Sequence, residues 1–93
     1  MGILVKIYVP AAIVSVKKLS DMSDEEWGWR NDTVGRIGAL GLYKSGQLYH
    51  IIHKTIFNEL STSKGVLKIE DNMLTLTTKN TEYVFEILEQ YKL

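Results

Sequence analysis

The chain has no cysteine, a single proline and no formal net charge across its 93 residues. Without cysteine there is no disulfide framework, thiolate metal site or thiol nucleophile, and a reducing, cytoplasmic setting is expected. No apolar run approaches the roughly 18–20 residues that carry a helix across a bilayer, so no membrane role is expected. The opening Met1–Ile7 stretch is apolar, but Lys6 falls inside it and no small-residue cleavage site follows, so it reads as a strand. Gly2 lacks the Ser or Thr at position 6 that a myristoylation signal wants; Lys6 stands there. A chain of this length holds one core, so residues 1–93 are expected to form a single domain. Apolar residues at 45% and charged residues at 24% match ordinary globular proteins and exclude a disordered chain.

Neutrality conceals a segmented pattern. Lys6, Lys17 and Lys18 make the first block basic, and Asp21, Asp24, Glu25, Glu26 and Asp32 outweigh Arg30 in the second. Arg36, Lys44, Lys54, Lys64 and Lys68 then outweigh Glu59, and Glu70, Asp71, Glu82, Glu86 and Glu89 outweigh Lys79 and Lys92. A general polyanion binder needs a basic face that releases counterions, and a balanced chain argues against nucleic acid as a partner.

Two turns near the C-terminus fix registers that agree with each other. Asp71-Asn72 and Lys79-Asn80 lie between alternating runs, as two-residue hairpin loops do. The first sets Ile69 opposite Leu74 and Leu67 opposite Leu76; the second sets Leu76 opposite Tyr83 and Leu74 opposite Phe85. With Ile87, these residues share one face, and a one-residue slip would scramble it. At the N-terminus, Ile3–Val9 and Ala12–Leu19 read as a hairpin turning at Pro10-Ala11, because proline does not sit in a central strand. That hairpin pairs Ile7 with Val14 and Val5 with Val16, leaving Leu4, Tyr8 and Ile13 on the opposite face as an oligomer interface.

Between the hairpins, Leu48, Ile51, Ile52, Thr55, Ile56 and Leu60 recur at i, i+3, i+4 spacings after Ser45, which predicts an amphipathic helix over 46–60. A third hairpin through Ser45-Gly46 competes, because these residues are β-formers. The expected fold class is therefore α+β: an N-terminal β-hairpin, one amphipathic helix covering the sheet, and a C-terminal three-stranded antiparallel meander. Ser23-Asp24-Glu25-Glu26 has the spacing of a capping box, with Gly28 as a stop.

Catalytic signatures are missing. No Gly-x-Ser-x-Gly elbow, phosphate loop or dinucleotide fingerprint occurs, although Gly35, Gly38 and Gly41 recur every third residue. His50 and His53 with Glu59 offer a metal-dependent enzyme as the remotest alternative. No cofactor and no metal is expected. A binding site has better components: Trp27, Trp29, Tyr43 and Tyr49 supply stacking faces, and Arg30, Arg36, Lys44, His50 and His53 supply donors for a nucleotide or another small anion.

The segment VLKIEDNMLTLTTKNTEYVFEILE, about a quarter of the chain, resembles the ending of short open reading frames in phages and mobile elements of low-GC Gram-positive bacteria. Nine lysines against two arginines fit an AT-rich genome. The resemblance implies a small accessory or counter-defence inhibitor that sequesters a host protein or a signalling nucleotide, and it carries over no functional residue. The expected function is that of a non-enzymatic binding protein acting through a protein partner or self-association, with a nucleotide sponge built on residues 27–53 as the alternative.

Overall fold

The computed structural model describes residues 2–19, 28 and 32–88. Apart from the helical Gly28, the regular structure among them is in strands: β1 (Ile3–Lys18), β2 (Ile37–Ser45), β3 (Leu48–Lys54), β4 (Glu59–Ser61), β5 (Val66–Glu70), β6 (Met73–Thr77) and β7 (Thr81–Ile87). They form one antiparallel sheet in the order β4-β3-β2-β1-β7-β6-β5. The α+β expectation is overturned: the described residues are nearly all sheet, and no amphipathic helix covers it among them. No described helix is long and apolar enough to cross a membrane.

The C-terminal meander pairs as its turns require. Ile69 lies opposite Leu74, Leu67 opposite Leu76, Leu76 opposite Tyr83 and Leu74 opposite Phe85. Asp71 takes the left-handed φ of 54° in the first turn, and Asn72 donates from its side chain to the Ile87 carbonyl at 3.2 Å. In the second turn, Thr78 and Thr81 bond one another through hydroxyl and main chain.

The N-terminal hairpin does not form; β1 runs unbroken through Pro10. Its pairing with β2 skips from Tyr8↔Leu40 to Ala11↔Gly38, so Val9 and Pro10 together oppose Ala39. A bulge of this kind tolerates a residue without an N–H, which is how proline fits inside the strand. Two further irregularities, at Leu4/Lys6 and Ile13/Ser15, shift which residues face inward. Ile13 and Val16 are both buried as a result, whereas strict alternation would have separated them.

The predicted helix over 46–60 is the second arm of a hairpin. Gly46, with φ of 64°, helps turn the chain after Ser45, and β3 then pairs along β2 from Leu48 opposite Ser45 to Lys54 opposite Ala39. The apolar positions that fit a helical stripe do not share a fate: Ile51 is fully buried, while Leu48 and Ile56 are exposed.

The two ends of the sheet meet. β4 pairs with Ile52–Lys54 of β3, the Thr62 N–H bonds the Ile51 carbonyl at 2.9 Å, and the Thr62 hydroxyl accepts the Ile51 N–H at 2.9 Å. Gly65 then exchanges two main-chain bonds with Tyr49, at 2.8 and 2.9 Å, immediately before β5 begins to pair with β6. One stretch of chain thus lines both the outer side of β3 and the outer side of β6, and the sheet closes on itself as a small up-and-down barrel. Ala11, Ile13, Leu40, Leu42, Ile51, Leu60, Leu74, Leu76, Tyr83 and Phe85 fill it. The wall opposite the meander is therefore β1–β3, which takes the covering role expected of a helix.

Candidate functional site

The inner and outer faces of β1–β3 follow from register. Residues directly opposite in an antiparallel pair share a face, so buried Leu40 and Leu42 carry Tyr8 and Lys6 of β1 and His53 and Ile51 of β3 to the inside. Gly41 and Tyr43 then face outward with Ile7, Leu4, Ile52 and His50.

This outer face is hollowed. Ile7, Ala39, Gly41, Tyr43, Ile52 and Lys54 line a depression of about 150 Å³, and Val9, Pro10, Ile37, Gly38, Ala39, Lys54, Thr55 and Ile56 line an adjoining one of about 510 Å³. Ala39 and Lys54 belong to both. The result is a trough whose floor is small because β2 places Gly38, Ala39 and Gly41 there. Its walls include exposed Ile7, Val9, Ile37 and Ile56. Lys54 bridges to Glu59 at 3.4 Å, with both side chains more than half exposed. At one end, the Tyr43 and His50 rings stack with centroids 4.9 Å apart and planes within 6°. His50 Nδ1 is buried there without a hydrogen-bond partner among the described residues.

The residues expected to bind a nucleotide are distributed, not gathered. Trp27, Trp29 and Arg30, like the capping-box residues Ser23–Glu26, lie outside the described residues. Tyr43 and His50 face outward, whereas Lys44 and Tyr49 pair on the inner side, the Lys44 ammonium 5.6 Å from the Tyr49 ring. Arg36 precedes β2 and gives its carbonyl to the Ile13 N–H at 2.9 Å. His53 is buried, with Nε2 2.9 Å from the Ala11 carbonyl and its ring 6.1 Å from Phe85. Burial lowers its pKa below the ordinary histidine value; the Ala11 bond opposes this and the nearby Arg36 charge adds to it. The nitrogen facing a carbonyl is a donor, so the neutral ring carries its proton on Nε2.

His50 and His53 fall on opposite faces, as a spacing of three dictates in a strand, and Glu59 is taken up by Lys54. Among the described residues, no group of three or more His, Asp or Glu is placed to hold a metal ion. The expected interface trio also divides: Leu4 is exposed on the outer face, Tyr8 packs against the core from the inner side, and Ile13 is 1% exposed within the core. The sequence reading missed the trough because its floor is defined by what small residues omit. The recurring Gly38 and Gly41 were the available signal. No family model, curated protein or solved structure matches the chain.

Proposed function

We propose that the protein is a small, non-enzymatic binding module of the cytoplasm, and that the trough on β1–β3 receives an extended apolar segment of a partner protein. The observation that carries this is the trough itself: a floor of Gly38, Ala39 and Gly41 between walls of exposed aliphatic side chains. Contiguous apolar surface of this kind on a small domain marks an interaction site. An extended strand suits its shape, since alternate side chains enter such a channel while the others remain in water. Lys54 and Glu59 on the rim give a partner's charges something to meet without taxing the apolar floor.

A nucleotide ligand has less support, because the aromatic and cationic residues of 43–53 divide between two faces. The test is a titration of the isotope-labelled protein with a library of extended peptides carrying apolar residues at alternate positions. Binding should move the amide resonances of Ala39, Gly41 and Ile52, and Ile52→Glu should weaken it at least tenfold. Peptides that shift only residues away from β1–β3, or an Ile52→Glu variant that binds as well as the parent, would refute the assignment.

A further inference from the structure

The backbone edge of β1 adjoins the trough, whose walls include Ile7 and Val9, but it offers main-chain groups and not an apolar floor. β7 covers β1 from Ala11 onward, and its last described bond runs from the Leu88 N–H to the Pro10 carbonyl at 3.0 Å. From Val9 back to Ile3, β1 pairs only with β2, so among the described residues no strand meets the main-chain donors and acceptors on its other side. The side chains along this edge are apolar and exposed: Ile3 at 76%, Val5 at 54%, Ile7 at 57% and Val9 at 66%. Native sheets protect long edges with charges, and Lys6 is the single charge here. β5, which has left β3 after Gly65, shows the contrast. Its five residues carry both Lys68 and Glu70, bridged at 3.7 Å.

We propose that a second copy of this chain pairs with the free edge of β1, antiparallel, about a two-fold axis at Ile7. Three observations favour a copy of the same chain over a foreign strand. The net charge is zero, so two copies meet without long-range repulsion. The edge is self-complementary about Ile7: the axis sets Ile7 against Ile7, Val5 against the partner's Val9, and Lys6 against the partner's Tyr8. Lys6 already lies 5.0 Å from its own Tyr8 ring, so the pairing repeats between chains a contact made within one. Register is also constrained, because a two-fold axis normal to the sheet keeps inner residues facing inner ones. Moving the axis to Lys6 would set two ammonium groups opposite each other, which is destabilising. Pairing of this kind is isologous and closes at a dimer, leaving no edge of β1 for further growth.

The absence of cysteine makes the test clean. Light scattering of the native protein from 1 to 200 µM should show a concentration-dependent dimer. Ile7→Cys should cross-link to a covalent dimer under mild oxidation, because opposed residues in antiparallel strands sit within the roughly 4.4–6.8 Å Cα separation that a disulfide spans. Val66→Cys, equally exposed but on β5, should not. Val5→Lys should weaken the dimer at least tenfold while leaving the far-ultraviolet circular dichroism unchanged. A strict monomer across that range overturns the proposal, as would a Val66→Cys variant that cross-links more readily than Ile7→Cys, or a dimer indifferent to Val5→Lys. Ile52→Glu should leave dimerisation intact, so failure here and failure of the trough reading are distinguishable.

Discussion

Gly65→Ala tests whether the barrel is held shut where the two ends of the sheet meet. A Cβ at this position would overlap the Thr77 carbonyl oxygen and lie 2.7 Å from its carbon and 3.0 Å from the Thr78 Cα, all main-chain atoms of the neighbouring strand and its end. The backbone cannot simply retreat, because Gly65 is tied on its other side to Tyr49 by bonds of 2.8 and 2.9 Å. Relief therefore costs either strain between β5 and β6 or the two bonds to β3. Overpacking costs about 1–3 kcal/mol, and two main-chain bonds are together worth about 1–3 kcal/mol net, so both routes give a similar loss. Against a total stability of roughly 5–14 kcal/mol for a chain of this size, that is readily measured by urea denaturation. Hydrogen exchange separates the routes. If the closing bonds yield, the Tyr49 amide should lose protection more than amides of the β6–β7 pair. A variant as stable as the parent with unchanged Tyr49 exchange would refute the closure.

Two further outcomes follow from the core. Phe85 is fully buried between Tyr83 and His53, and Phe85→Ala should cost about 3–5 kcal/mol by urea denaturation. Because the folded state holds His53 neutral with a lowered pKa, the unfolded chain takes up the proton first as pH falls. The stability contribution is whole above about 6.5 and is lost as pH falls through that value toward the lower folded pKa. The urea midpoint should therefore drop between pH 7.5 and 5, and His53→Gln should flatten that drop; an equal slope in the variant would contradict it.

The meander was legible because each of its turns is short enough to dictate a register and both registers put Leu74 and Leu76 on the same face as Phe85 and Tyr83. Nothing beyond the neighbouring strand was needed. The segment 46–60 misled because Leu48, Ile51, Ile52, Thr55 and Ile56 fit a helical stripe, and periodicity cannot separate a strand, a turn and a second short strand from one helix when apolar residues are dense. The deciding signals were the β-branched residues and Ser45-Gly46, which were visible but weaker in the count. Pro10 misled in a different way. Its missing N–H does forbid a regular ladder position, but a bulge satisfies that requirement as well as a turn does.

The candidate site was hidden by the same geometry that built it. Gathering Tyr43, Lys44, Tyr49, His50 and His53 by proximity in sequence presumes that neighbours converge, and in strands they alternate, so the set divides between the stack outside and the core inside. What converges instead is a pattern of omissions on β2. At Gly38 a Cβ would overlap the Lys54 carbonyl, so the missing side chain lets the end of β3 cross close to β2. Three residues on, a Cβ at Gly41 would press on the Tyr43 ring at 3.1 Å, so that position must also be small for the ring to lie as it does. Restoring a side chain at Gly38 would disturb the strand crossing, and restoring one at Gly41 would crowd the outer face where the trough lies. The bend of the wall and the channel on its outside therefore rest on two neighbouring omissions in one strand, each with its own task.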